Sequence, residues 1–241
     1  MNAILSEAQM AVQRELKKID ALMQNASMRL SPLGLNGTLV REELNSTFVL
    51  DPYLMNIITY DRHGVVMTAV PSNYLFMEGM DLSYADNVAL MLTKKMPIMT
   101  DVLLPLDGND GAVLAAPVFD EDGLFVGAVS ALFSPSRLMN GTLPQLAADT
   151  GFTFWCMQSD GIDIYDTDAS QIGMNIINGT DYQDFPEVQA IGRRMVNETS
   201  GYGTYSYLIS LGSQTTVEKE CYWTTVGAHG IAWRLAVVHR L

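Results

Sequence analysis

The chain has 241 residues, is 48% hydrophobic, and carries 14 Lys and Arg against 27 Asp and Glu, a formal net charge of −13 at pH 7. That content supports a sizeable core divided between two modest domains and excludes a disordered chain. So acidic a balance excludes a phosphate-tracking surface, because nucleic-acid binding rests on clustered cations.

Starting from Leu5, apolar residues recur at Ala8, Val12, Leu16, Ile19, Met23, Ala26 and Leu30, steps of three and four that draw one stripe along a helix. The helix is expected to stop before Pro32 and Gly34 and to extend roughly 35 to 40 Å, longer than a small domain needs for its own core. It reads as a spine over 1–34. Residues 53–70, YLMNIITYDRHGVVMTAV, read as a hairpin turning at Asp61 to Gly64. A helix is expected in DLSYADNVALMLTKKMP, capped by Asp81 or Ser83, with Ala85, Val88, Ala89 and Leu92 on one face. Lys94 and Lys95 suit its negative end, and Pro97 stops it. Three strands then fit TDVLLPLD, GAVLAAPVFD and GLFVGAVSALF, separated by Asp-Gly-Asn-Asp and Asp-Glu-Asp-Gly turns.

The second half repeats this order. FTFWCMQSDGIDIYDT, residues 152–167, gives strand, Asp-Gly turn and strand, and the GMD at Gly79 returns as GMN at Gly173. A helix follows from about Asp184, with Pro186 in its first turn and Phe185, Val188, Ile191 and Met195 facing inward. Strands then fit GYGTYSYLI, VEKECYWTTVG and GIAWRLAVVH. The expected fold class is α+β: a long N-terminal helix, then two PAS-like units, each a five-stranded antiparallel sheet with flanking helices. The units are expected at 35–145 and 146–241, with the boundary in the Asn140 to Thr150 segment.

Catalytic signatures are missing. No GxSxG, HExxH or GxxxxGK[ST] pattern occurs, so the common hydrolase, zincin and P-loop chemistries have no residues to carry them. His63, His229 and His239 fall in predicted turns or near the C-terminus and read as solvated, and Asp61, Asp107, Asp110, Asp120 and Asp122 read as turn caps. Calcium at 107–110 or 120–122 would lack the EF-hand ligand order. No enzyme activity, metal or cofactor is expected. Cys156 and Cys221 have no CxxC spacing and stand either as two buried free thiols or as one disulfide. Sequons at Asn25, Asn36, Asn45, Asn140, Asn178 and Asn197 suit an exported chain. No apolar run approaches the ~20 residues of a membrane-spanning helix, and no signal-peptide pattern is present, so the chain as given is expected to be soluble.

The order of YDRHGVV, GMDLS, KKMPIMTDVLL, APVFDEDGLFVGAVSALF, SDGIDIYDTDASQIGMN, SGYGTYSY and GIAWRLAVV resembles the double Cache sensor family, the extracytoplasmic ligand-binding regions of transmembrane histidine kinases and chemoreceptors. The resemblance covers nearly the whole chain. It implies membrane spans outside this fragment, a small-molecule pocket in the membrane-distal unit, and a weak homodimer pairing the long helices. Tyr74, Phe76, Tyr84, Asp101 and Phe119 are the candidate ligand-binding residues. The family's amino-acid-binding members carry an Arg-X-Trp-Tyr type motif before the pocket helix and an Asp at the end of the distal unit's last strand. This chain has SNYLFMEGMDLSY and VSALF in those places. With both anchors missing and cations limited to Arg41, Arg62, Lys94, Lys95 and Arg137 in the first unit, a neutral or cationic ligand is expected over a carboxylate. The implied output is a histidine kinase. The alternatives are a chemoreceptor ligand-binding domain and a ligand-free interaction domain of the same fold.

Overall fold

A computed structural model describes residues 1–103, 111–148, 150–209 and 212–241. The predicted spine is helix α1, Asn2–Leu30, and every residue of the predicted stripe from Leu5 to Leu30 is buried. Gly34, at φ 79°, closes its end by donating its N–H to the Leu30 carbonyl at 2.8 Å, the left-handed cap that glycine adopts without strain.

The described chain divides into two compact units. The first comprises Leu16–Ser134 with Ala228–Ile231, and the second comprises Met1–Glu15, Pro135–Gly227 and Ala232–Leu241, so α1 contributes to both.

In the first unit, helix α2 (Thr38–Phe48) precedes strands β1 (Leu54–Asp61) and β2 (Val66–Val70), helix α3 (Asp86–Lys94), and strands β3 (Ile98–Met99), β4 (Ala112–Phe119) and β5 (Phe125–Phe133). All pairings are antiparallel, in the order β2-β1-β5-β4-β3. Helix α2 was not foreseen from the sequence; it buries only Val40, Leu44 and Thr47. Helix α3 starts at Asp86 without a side-chain cap, because Asp81 instead accepts the Ser83 N–H at 2.8 Å within its own turn. Its buried residues are Val88 and Met91, and Ala89 faces solvent. The strand expected over TDVLLPLD begins earlier and is two residues long where described; residues 104–107 and the Asp107 to Asp110 turn lie outside the described residues.

The second unit adds helices α4 (Pro135–Thr142) and α5 (Pro144–Ala147), strands β6 (Phe152–Met157) and β7 (Asp163–Asp166), helix α6 (Pro186–Asn197), and strands β8 (Gly201–Leu208), β9 (Thr216–Val226) and β10 (Trp233–Arg240). Its order, β7-β6-β10-β9-β8, repeats that of the first sheet. Helix α6 buries Val188, Ile191 and Met195 as the sequence predicts. It approaches β8 closely because Gly203 has no side chain: a Cβ there would fall 2.2 Å from Ile191 Cδ1. Among the described residues no helix is long and apolar enough to cross a membrane.

Candidate functional site

Strand alternation sets one face of the first sheet toward α3. Asn56, Ile58 and Tyr60 of β1 share that face with Ser130 and Leu132 of β5 and Val113 of β4, as the Asn56–Leu132, Ile58–Ser130 and Val113–Leu132 register shows. Over the face lie the 3-10 turn Ser72–Met77, which follows a cis Val70–Pro71 bond, and the start of α3. Between these layers is a cavity of about 250 Å³, lined by the six sheet residues with Tyr74, Phe76, Met77, Leu82, Tyr84, Ala85, Asn87, Val88 and Leu103.

Three of the five candidate residues therefore meet at one cavity. Tyr74 is buried and stacks on Phe76 with ring centroids 6.2 Å apart, whereas Phe76 and Tyr84 are 57% and 73% exposed and form the rim. Asp101 and Phe119 are not in the lining. Asp101 follows β3, and Phe119 ends β4 at a register shift, making an edge contact with Phe125 at 5.8 Å. Asn56, Tyr60, Asn87 and Ser130 escaped the sequence reading, although polar residues in otherwise apolar strands were an available signal.

No charged residue lines this cavity among those described. Arg41 is committed elsewhere, donating to Glu78 Oε1 at 2.8 Å and to the Ala69 carbonyl at 3.1 Å. Lys95 lies 5.3 Å from the Phe125 ring centroid. The Tyr60 hydroxyl is buried without a hydrogen-bond partner, and burial pushes its pKa up, so it remains a neutral donor. Such a group is costly to leave unsatisfied and well suited to a ligand's acceptor.

The turn carboxylates behave as backbone caps. Asp61 Oδ1 accepts the His63 and Val65 N–H groups, and Asp120 Oδ1 those of Asp122 and Leu124. His63 is exposed, as expected. His229 is exposed, as expected, and also bonds through Nε2 to Asp20 Oδ1 at 2.8 Å. Cys156 and Cys221 are free and buried.

Two repeated five-stranded sheets that follow a long helix in the chain, with a small cavity under the short helix of one, define a double PAS-like sensor fold. Residues 14–135, half of the chain, match the family model of the HK/GC/chemotaxis protein-like sensor domain. The chain belongs to that family of sensor domains. A solved extracellular ligand-binding receptor from Desulfohalobium retbaense is similar at 28% identity and a TM-score of 0.82, over 98% of this chain and 39% of that one. The present chain thus spans well under half of that relative. The ligand-binding domain of the Pseudomonas aeruginosa amino-acid chemoreceptor PctC, in complex with GABA, shares the fold at 15% identity and a TM-score of 0.67, over 98% and 97% of the two chains. So does the sensory domain of the Campylobacter jejuni chemoreceptor Tlp3 with isoleucine bound, at 13% identity and a TM-score of 0.68, over 99% and 90%. A search of curated proteins returned no match.

Proposed function

We propose that the first unit is the membrane-distal, ligand-binding module of a transmembrane receptor and that it takes a small uncharged molecule in the cavity beneath α3. In this reading the unit expected at 35–145 is the distal one, its compact part ending at Ser134, and that expected at 146–241 is the proximal one. The observation that carries it is an apolar cavity whose described lining holds no charge but includes the unpartnered Tyr60 hydroxyl and the amides of Asn56 and Asn87. PctC and Tlp3 bind amino acids. A zwitterion in this cavity would find no opposite charge among the described lining, and both family anchors are missing from the sequence. Because Asp101 stays out of the lining, an uncharged ligand is favoured over a cation.

The receptor is a histidine kinase in this reading, and the chemoreceptor structures sharing the fold favour chemotaxis as the second. Ligand would shift α1 and β10 relative to one another, within a homodimer pairing the α1 helices, since a ligand biases only conformations that it binds unequally. A thermal-shift screen of uncharged metabolites, carboxylates and amines, followed by calorimetry on wild type and Tyr60→Phe, tests the assignment. An uncharged hit weakened by Tyr60→Phe is the expected result. A tight carboxylate ligand indifferent to Tyr60 would overturn it, and the lack of any hit would favour a ligand-free interaction domain.

A further inference from the structure

The second unit carries a larger, partly open cavity of about 510 Å³, within the usual size range of small-ligand sites. Its floor is the sheet face that carries Trp155 of β6, Tyr205 and Tyr207 of β8 and Lys219 of β9. Strand β7 adds two carboxylates by way of a bulge. Trp155 pairs with Asp166 and Met157 with Asp163, with a register shift between Cys156 and Met157. The extra residue, Ile164, returns Asp163 to the face that Asp166 occupies. Both carboxylates line the cavity, and Asp168 joins them from the following turn.

Asp163 is 1% exposed; its Oδ1 accepts the Tyr165 N–H at 3.2 Å, while Oδ2 has no hydrogen-bond partner. The Tyr207 hydroxyl, in the same cavity wall, is buried beside the Tyr182 hydroxyl. A buried carboxylate oxygen left without a partner at a cavity is a cost that a bound donor would relieve. The fold does not require these acids. The same bulge occurs in the first unit, where Tyr60 pairs with Val66 and Ile58 with Ala69, so valine and alanine occupy the corresponding positions. Lys219 is the single cation of the lining, its Nζ 5.2 Å from the Tyr207 ring centroid, against three aspartates. Tyr182, Tyr205, Tyr207 and Trp155 line the same cavity, and aromatic rings attract a desolvated cation. Among the described residues no group of three or more His, Cys, Asp and Glu is arranged to hold a metal ion, which directs the chemistry to an organic cation.

We propose that this cavity is a second ligand site, taking a small molecule whose ammonium group pairs with Asp163 and Asp166 among the tyrosine rings. Burial, with the Asp166 charge adding to it, holds the Asp163 carboxyl well above the usual carboxylate range in the empty site, so a bound ammonium would also draw off its proton.

All three tryptophans, Trp155, Trp223 and Trp233, belong to the second unit, so their fluorescence reports this site independently of the first cavity. The intact chain is titrated at pH 7.5 with n-butylammonium, putrescine and phenethylammonium, with n-butanol and pentanoate as uncharged and anionic probes, and with GABA as a zwitterion. A saturable response to at least one amine, none to butanol or pentanoate, and affinity weakened at least about tenfold in both Asp163→Asn and Asp166→Asn is the expected result. GABA binding alongside the amines would identify a zwitterion as an accepted source of the ammonium group. Amine affinity should also fall in the wild type between pH 7.5 and pH 5, as the aspartates take up protons, a readout that needs no variant to fold. The groups facing the pair are Asp168, Lys219, Tyr182, Tyr205 and Tyr207; burial draws the Lys219 pKa down and pushes the tyrosines up, so the tyrosines stay neutral across that interval. No amine response in the folded wild type, an affinity indifferent to pH, or binding by both variants as tight as the wild type's would overturn the proposal.

Discussion

Replacing Asp166 with Asn should remove a pH-dependent loss of stability from the second unit. An unfolded aspartate titrates near ~3.9. In the folded chain burial pushes the Asp166 carboxyl up to about 7, with the Asp168 charge adding to the rise while the Asp168 N–H and Lys219 oppose it. A raised carboxyl holds its proton in the folded state after the unfolded state has released it. Its stabilising contribution is therefore complete below about pH 4 and is lost as pH rises toward about 7. At ~1.4 kcal/mol per pH unit, three units amount to at most about 4 kcal/mol. Asp163 acts in the same direction, because burial raises it too, and the two titrate as a pair. Urea unfolding followed by tryptophan fluorescence at pH 4, 5.5 and 7.5 measures the effect in the unit that holds every tryptophan. The wild type should lose stability relative to Asp166→Asn across this series, the gap widening by up to about 4 kcal/mol. Parallel stability curves, or a gap widening in the wild type's favour, would refute the reasoning.

Three further outcomes follow from the packing. Gly127→Ala should cost at least about 2 kcal/mol in urea unfolding, because Gly127 has φ 151° and an added Cβ would fall 2.1 Å from the Tyr60 carbonyl oxygen. Tyr60→Phe should leave stability unchanged or raise it by about 1 kcal/mol, since it deletes a buried hydroxyl that has no partner; a loss of ~2 kcal/mol by the same assay would show that the hydroxyl is satisfied. Cys156 and Cys221 should resist a thiol reagent at pH 8 until urea unfolds the chain, as both are buried and burial pushes the Cys221 thiol up to about 12. Rapid labelling of the folded chain would contradict that expectation.

The parts of the fold legible in the sequence were those where one local rule acts without competition. The α1 stripe was readable residue by residue because a helix buries one face, and the hairpins because Asp and Gly mark their turns. Helix α2 was not, since it has few buried positions and Gly37 offers no side-chain cap. The start of α3 was misplaced because Asp81 caps a turn as readily as a helix. At the first cavity the aromatic residues near the short helix were found, while Asp101 and Phe119 depended on strand ends and register that composition does not reveal. Asp163 and Asp166 illustrate the limit most clearly. Three residues apart, they would point to opposite faces of a regular strand, and only the bulge at Ile164 brings them together.

Binding of an uncharged small molecule in the first-unit cavity is read from the methyl resonance of Met77, which lines that cavity. With methyl-labelled methionine, the intact chain is screened against matched sets of uncharged metabolites, carboxylates and amines. A saturable shift of the Met77 signal with an uncharged compound, abolished or strongly weakened by Tyr60→Phe, is the expected outcome. A shift driven only by carboxylates or amines would contradict it.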